Sequence, residues 1–176
     1  RKININVDNF FDSGISAAFS ALTEKEQNDG VACIDIGAFT TKVVVMQDKK
    51  VIFSKILPLG GNNVTDDLCQ GLEIPKESAE TIKILHGTLS PNFNNNIEIR
   101  INSIQQKNIN KNILYGIVKP RYEEILEIIR DLVFDNVYTR VSVKSIVFAG
   151  GASKIYGLNS LGENVFNRQC RVSMFG

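Results

Sequence analysis

Hydrophobic and polar residues follow two different periods along this chain, and the order of the two periods predicts an α/β fold. Early in the chain, three short apolar runs have the near-continuous character of strands that are buried on both faces. These runs are residues 31–36, 43–46 and 51–57. The polar segment Asp48-Lys49-Lys50 predicts a tight hairpin between the last two. We therefore expect an antiparallel three-strand meander.

Helical patterns surround this meander. Ser13 is expected to cap a first helix, and Thr65 a second one with two aspartates in its first turn. Pro75 is expected to open a third helix that ends at Gly87. From Pro120 onward an apolar stripe predicts a further helix. The stripe consists of Ile125, Ile128, Ile129 and Leu132.

Further strands complete the pattern. Alternating apolar residues predict strands at residues 3–7 and, within an asparagine-rich stretch, at residues 97–101. Near the C-terminus we expect a strand, a helix and a strand at residues 146–149, 158–166 and 170–174. An insertion of about residues 64–118 separates the two halves. This order predicts a ribonuclease-H-like sheet, in which parallel strands extend the meander and helices cover both faces.

Composition excludes several classes of function. The 176 residues carry 20 Lys and Arg against 19 Asp and Glu, so no basic footprint for nucleic acid is expected. No apolar run approaches the roughly 20 residues of a membrane span. The three cysteines are too far apart for a metal site or a disulfide framework, which favours reduced thiols in a cytosolic protein. The single histidine, His86, precedes a glycine at a helix end and is expected to be structural.

The first candidate for chemistry follows the first strand of the meander. That strand ends near Asp35, and a turn containing Gly37 then brings backbone N–H groups together with the hydroxyls of Thr40 and Thr41. Such a turn can surround phosphate oxygens, and a carboxylate at a strand end can hold Mg²⁺ through water. A simple hairpin turn is the alternative.

Two other segments carry weaker signals. Gly150 and Gly151 follow a buried strand, where a flat ligand could lie close to the backbone or the glycines could serve only a tight turn. Glu80 and Lys83 are three residues apart on a predicted helix and share one face. They could contact a ligand or form a solvated ion pair of little energetic weight.

The order and spacing of these segments resemble the FtsA family, within the superfamily of actin, sugar kinases and heat-shock chaperones. The resemblance implies an actin-type ATPase lobe (subdomain IIA) with an inserted α+β subdomain IIB, and we expect the chain to be an internal piece of such a protein. Residues 1–29 would end a lobe I strand and form the interlobe helix, residues 30–63 and 119–176 would form IIA, and residues 64–118 would form IIB. The resemblance runs through Asp35-Ile36-Gly37, Gly60-Gly61-Asn62, Ala79-Glu80, His86-Gly87 and Ala149-Gly150-Gly151.

The resemblance also implies a site for ATP and Mg²⁺, in three groups of residues. The second phosphate-binding turn would be formed by Asp35, which would hold Mg²⁺ through water, and by Gly37, Thr40 and Thr41. Contacts to the ribose and adenine would come from Glu80 and Lys83. The adenosine-binding turn would be formed by Gly150, Gly151 and Ser153.

The phosphate turn departs from the family pattern at three positions. That pattern usually reads Asp-x-Gly-Gly-Gly-Thr-Thr-Asp, whereas Ala38, Phe39 and Lys42 stand here in place of two glycines and the last aspartate. An ammonium group attracts phosphate but cannot orient Mg²⁺ or water as a carboxylate does. We therefore expect at most weak ATPase activity, and weak or no ATP binding by this half-site alone.

The resemblance implies an adaptor rather than an enzyme. It implies binding of the FtsZ C-terminal tail through subdomain IIB and self-association of the full-length protein into actin-like filaments. It places the protein at the inner face of the cell membrane at the division septum, through a C-terminal anchor that we expect to lie outside this chain. A phosphotransferase of the sugar- or acetate-kinase type and a type IV pilus assembly ATPase-like adaptor are the alternatives within the superfamily.

Overall fold

A five-stranded sheet with helices on both faces forms the body of the protein. The computed structural model describes residues 12–91, 96–100, 106–135 and 143–174. In chain order the elements are α1 (Ser13–Ala21), α2 (Glu24–Asp29), β1 (Val31–Ile36), β2 (Thr41–Gln47), β3 (Lys50–Leu57), α3 (Gly61–Leu72), α4 (Lys76–His86), β4 (Asn96–Arg100), β5 (Gln106–Asn110), α5 (Lys111–Phe134), β6 (Ser145–Ala149), a 3-10 turn (Gly151–Lys154), α6 (Leu158–Phe166) and β7 (Gln169–Val172).

The main sheet is mixed, with the strand order β3-β2-β1-β6-β7. β2 pairs antiparallel with both β1 and β3, whereas β6 is parallel to both β1 and β7. Strands β4 and β5 form a separate two-stranded antiparallel sheet. The predicted ribonuclease-H-like layout, a meander extended by parallel strands, is confirmed.

Each face of the main sheet has its own buried cluster. On one face, Ala18, Ala21 and Leu22 of the α1 segment pack against alternate residues of β1, β2 and β6. Helices α3, α4, α5 and α6 contribute to the larger cluster on the other face. The near-continuous apolar runs of β1 and β2 follow from this arrangement, because their side chains are buried on both faces.

The β2–β3 hairpin forms without the glycine that such turns prefer. Asp48 and Lys49 both adopt left-handed backbone conformations, with φ of 52° and 60°. Their N–H groups donate to the carbonyls of Asn28 and Gln27 at 3.2 Å and 3.0 Å. The end of α2 therefore holds this turn in place, which offsets the cost of the left-handed backbone.

Two predicted helix caps are wrong. The cap of α1 is Asp12, whose carboxylate accepts from the N–H of Gly14 at 2.8 Å, so Ser13 is already the first helical residue. Helix α3 begins at Gly61, which places Thr65 in the second turn rather than at the cap. The first N–H groups of α3 donate to backbone carbonyls of another segment, a contact that leaves no local signal in the sequence. Its two aspartates instead form ion pairs, Asp66 with Lys76 and Asp67 with Arg121.

Helix α5 begins earlier than predicted. It starts at Lys111, is capped by Asn110, and continues through Pro120. The position expected to divide the two subdomains, residue 118, therefore falls inside one continuous helix. The buried stripe also differs, because Ile128 is 37% exposed. The large side chains that α5 buries in this region are Tyr122, Ile125, Leu126, Ile129 and Val133.

The predicted positions of two helices are confirmed. α4 follows Pro75 and ends at His86 before Gly87, and α6 has its predicted bounds. The cysteines are free, and burial raises the pKa of the Cys33 thiol to about 12. None of the described helices is long and apolar enough to cross a membrane. The strand predicted at residues 3–7 lies outside the described residues.

An arginine on β7 ties the last strand to the first helices. Arg171 donates from Nε to Oε1 of Glu26 at 2.6 Å, and from Nη2 to Oε2 at 2.7 Å and to the carbonyl of Ala21 at 2.8 Å. The same carboxylate accepts the N–H of Thr23 at 2.8 Å and completes a capping box on α2. The hydrogen bonds from Arg171 lower the pKa of Glu26 to about 2, more than burial raises it.

We expect Glu26→Gln to destabilise the protein at neutral pH by about 1–2 kcal/mol, because it removes the charge that pairs with Arg171. The folded-state pKa of Glu26 lies below its ordinary value of 4.5. Its contribution is therefore fully present above about pH 4.5 and is lost as the pH falls toward 2. The free energy of unfolding, measured with urea at a series of pH values, should fall less steeply toward low pH (a shallower acid limb) for the variant than for the wild type.

Glu24→Gln is the matched control, since the Glu24 side chain is 86% exposed and its ion pair with Lys49 spans 3.7 Å. It should leave both the neutral-pH stability and the acid limb nearly unchanged. Equal acid limbs for the wild type and Glu26→Gln would contradict this account of the pair.

Candidate functional site

The carboxyl ends of β1 and β6 bring two of the predicted segments together. The strands are parallel neighbours, with Asp35 opposite Ala149. Gly150 then adopts a φ of 86°, and a methyl group there would overlap Oδ1 of Asp35 and lie 2.5 Å from the carbonyl oxygen of Ile36. Only glycine fits this position. The turn after β1 and the glycines after β6 therefore lie side by side.

The turn after β1, residues 37–40, presents free backbone donors. The N–H of Gly37 is used, because it donates to the carbonyl of Thr40 at 2.9 Å. The next three N–H groups, those of Ala38, Phe39 and Thr40, donate to no group in the described part of the chain. The Phe39 ring is 74% exposed and does not cover the turn. Consecutive free N–H groups of this kind can bind an anion.

Thr41, which was also expected to contact phosphate, is fully buried. Its hydroxyl donates to the carbonyl of Leu59 at 2.8 Å. Thr41 therefore fixes the segment that follows β3 against the turn.

The start of α3 closes the turn from behind. The N–H groups of Gly61 and Asn62 donate to the carbonyls of Gly37 and Ala38 at 2.9 Å and 2.8 Å. A methyl group on Gly60 would lie 2.6 Å from the Gly37 carbonyl oxygen, so the two backbones are in direct contact. Because the carbonyls of the turn bond to α3, its free N–H groups remain available on the side opposite α3.

Lys83 links α4 to the start of α3. Its ammonium donates to the carbonyl of Gly61 at 3.0 Å, to Oγ1 of Thr65 at 2.8 Å and to Oε2 of Glu80 at 2.7 Å. These contacts use all three of its donors, and its side chain is only 10% exposed. Glu80 and Lys83 share a face as predicted, but their pair is partly buried rather than solvated.

Thr65 belongs to this network, whereas the sequence predicted that it caps a helix. Its hydroxyl lies within hydrogen-bond distance of Oε2 of Glu80 and accepts from Lys83. Burial raises the pKa of Glu80, but the hydrogen bonds from Lys83 and Thr65 outweigh it and lower that pKa overall. The signal in the sequence was present, since Thr65 lies one helical turn after Gly61 on the same face.

The 3-10 turn after β6 is closed by its own serine. The Ser153 hydroxyl donates to the carbonyl of Gly150 at 2.7 Å, and Ser153 is 1% exposed. Tyr122 of α5 donates to the carbonyl of Ala152 at 2.7 Å, and burial raises the pKa of this phenol. Ser153 therefore shapes the turn from inside. Gly151 is exposed, with open space where a side chain would stand.

A cleft of about 420 Å³ opens between the end of α4 and this turn. Lys83 and Gly151 both line it, so the structure brings together two of the segments that the sequence singled out. Its walls carry three large, mainly apolar side chains that are mostly exposed to solvent. These are Ile84, Leu85 and Tyr156, which are 70%, 67% and 73% exposed. An apolar cleft of this size with a few polar groups at its edge suits a small flat ligand.

The residues present do not fit Mg²⁺. Asp35 forms an ion pair with Lys42, at 3.7 Å between Oδ2 and Nζ. No group of three or more histidine, cysteine, aspartate or glutamate side chains suited to a metal ion occurs among the described residues. A carboxylate that is already paired with an ammonium is a poor partner for a hydrated divalent cation.

Comparison with known sequences identifies relatives over nearly the whole chain. The profile of the family described as "Cell division protein FtsA" matches residues 32–175. The FtsA of Rhizobium meliloti (strain 1021) is 30% identical over 178 residues, which cover 97% of this chain and 40% of that protein. The FtsA of Escherichia coli (strain K12) is 29% identical over 182 residues, which cover 97% and 43%. The chain thus spans less than half the length of these relatives.

Solved structures share the fold at low sequence identity. MreB5 of Spiroplasma citri bound to AMPPNP has a TM-score of 0.75 at 19% identity, covering 89% of this chain and 52% of that one. The archaeal actin homolog Ta0583 has a TM-score of 0.63 at 20% identity, covering 90% and 47%. The PilM–PilN type IV pilus biogenesis complex has a TM-score of 0.65 at 20% identity, covering 90% and 39%. These likenesses show an actin-type lobe. Because the family profile matches most of the chain, the chain belongs to the FtsA family of cell division proteins.

Proposed function

We propose that this chain is the nucleotide-binding half of an actin-like adaptor, which binds ATP between two lobes and links FtsZ to the cytoplasmic membrane at the septum. The observation that supports this most strongly is the position of Lys83 and Gly151 on one cleft, beside the turn that follows β1. MreB5, which shares the fold, was solved with AMPPNP and with ADP.

The cleft would take the adenosine. Its apolar walls suit the base, and Gly151 lets a flat ring approach the backbone. Oε2 of Glu80 is held by Lys83 and Thr65, while Oε1 accepts no hydrogen bond from the described residues. We expect Oε1 to accept from a ribose hydroxyl. Lys83, with its donors already used, would position Glu80 rather than bind the ligand itself.

The phosphates would lie over the turn after β1. Its free N–H groups, from Ala38 to Thr40, form a set of donors next to Gly150. Asp35 is paired with Lys42, so the turn presents no free carboxylate to activate water. The protein should therefore be an ATP-binding adaptor with at most weak ATPase activity.

Family membership supports the rest of the proposal. Residues 30–63 and 119–176 would form subdomain IIA, and residues 64–118 would form IIB and bind the FtsZ C-terminal tail. Residues 1–29 would end a lobe I strand and form the interlobe helix. The full-length protein would self-associate into actin-like filaments and reach the inner face of the membrane through a C-terminal anchor.

Titration of the ¹⁵N-labelled chain with ATP should shift a localised set of amide resonances, from residues 37–41, 80–87 and 150–154. Because the chain spans less than half the length of its relatives, we expect weak binding, with a dissociation constant of about 1 mM, which NMR shifts can still follow. Gly151→Val should abolish the shifts, since the side chain would fill the space that the ring needs.

Gly116→Val is the matched control, because Gly116 also faces open space but does not line the cleft. It should leave the titration unchanged. Shifts that are scattered over the surface, or that survive Gly151→Val, would rule out the proposed nucleotide site.

A labelled peptide from the FtsZ C-terminal tail of the same organism should bind the chain saturably, with an affinity in the micromolar range, in a fluorescence-anisotropy titration. Ile113→Asp, an exposed position within residues 64–118, should weaken binding. Ile56→Asp, an exposed position on β3, should not. Absence of binding by the folded chain would remove the FtsZ part of the proposal.

A further inference from the structure

Lys42 lies directly across the sheet from Asp35, beside the turn that follows β1. The two residues are paired in the β1–β2 register. Nζ lies 3.7 Å from Oδ2, and the side chains are only 24% and 19% exposed. The ammonium therefore offsets part of the negative charge that the Asp35 carboxylate presents to the turn.

Packing holds Lys42 in this position. A methyl group on Gly14, at the start of α1, would lie 3.1 Å and 3.2 Å from Cβ and Cδ of Lys42, so the aliphatic stem rests against the helix. Oδ1 of Asp35 faces Gly150 on the other side. The neighbouring carboxylate, Asp12, caps α1 by accepting from Gly14 at 2.8 Å. Asp12 is thus used by its own helix, and Asp35 lies beside the ammonium of Lys42.

A divalent cation has no suitable place in this arrangement. Mg²⁺ takes oxygen ligands in octahedral geometry and is usually held by one or two free carboxylates. Here the carboxylate of Asp35 is paired, and the adjacent ammonium repels a second cation. A polyphosphate, in contrast, is attracted by the same ammonium.

We infer that Lys42 takes the place of the divalent cation in this site and binds the terminal phosphates of the nucleotide directly. The inference rests on the proposed nucleotide-binding function. The ammonium makes no hydrogen bond within the described residues, because its contact with Asp35 spans 3.7 Å. Lys42 is the second residue of β2 and lies opposite Asp35, at the edge of the sheet where the turn presents the free N–H groups of Ala38 and Phe39. Nucleotide binding by this protein should therefore need no Mg²⁺.

A metal titration without nucleotide tests the exclusion of the cation. Mn²⁺ is added to the ¹⁵N-labelled chain, and paramagnetic broadening of the Asp35, Gly37 and Gly150 amides is measured. The wild type should show no selective broadening there up to about 1 mM Mn²⁺, whereas Lys42→Asp should show it. Lys55→Asp makes the same change from a positive to a negative side chain, but on β3. It is the control and should behave like the wild type.

A nucleotide titration tests the phosphate contact. The affinity of the wild type for ATP should agree within about twofold between Mg²⁺ and EDTA, because an ammonium provides the positive charge in both cases. Lys42→Asp should bind at least about tenfold more weakly in EDTA than in Mg²⁺, the effect expected for one charge-assisted contact. Lys55→Asp should show no such dependence.

Selective broadening of these amides by Mn²⁺ in the wild type would overturn the inference. So would a wild-type affinity for ATP that falls about tenfold when EDTA replaces Mg²⁺. If ATP shifts no amide, the proposed nucleotide function fails and the phosphate contact of Lys42 fails with it. The Mn²⁺ titration still decides separately whether the site excludes a metal.

Discussion

Two backbone hydrogen bonds, from Gly61 and Asn62 to the carbonyls of Gly37 and Ala38, fix the geometry on which the rest of the site depends. They satisfy the first N–H groups of α3 without a capping side chain. They also occupy the carbonyl groups of the turn after β1. The N–H side of the same turn then remains free. The close approach also explains why Gly60 stands between β3 and α3, since any side chain there would overlap the turn.

The same contact connects the remaining parts of the site. The carbonyl of Gly61 accepts from Lys83, which joins α4 to α3 through Thr65 and Glu80. A methyl group on Gly61 would lie 3.1 Å from Cβ of Ala152, so the turn after β6 packs against the same point. Three segments that are distant in sequence thus meet at one helix start. Because the polar groups of this network are bonded to one another, they can be partly buried at little cost.

The strands and the fold class could be predicted from the sequence because buried strands have long apolar runs that local pattern reveals. The start of α3 could not, because its cap is a pair of carbonyls from another segment, and Thr65 was the nearest side chain of a capping type. α5 was predicted to begin at Pro120, since a proline usually marks a helix start, but tertiary packing of Leu114 and Val118 extends the helix through it. Within the candidate site, the spacing of Glu80 and Lys83 predicted that they share a face, and the structure shows their contact. The hydroxyls of Thr41 and Ser153 donate to backbone carbonyls, and these bonds leave no local signal in the sequence.

Native-state hydrogen exchange of the Gly61 and Asn62 amides tests the central contact most directly. If these groups donate to the turn after β1, they should be protected to a degree similar to buried amides of β2 such as Val44, while the Ala38 and Phe39 amides of the same turn should exchange rapidly. Rapid exchange of Gly61 and Asn62 in the folded protein, at rates like those of Ala38 and Phe39, would contradict the account.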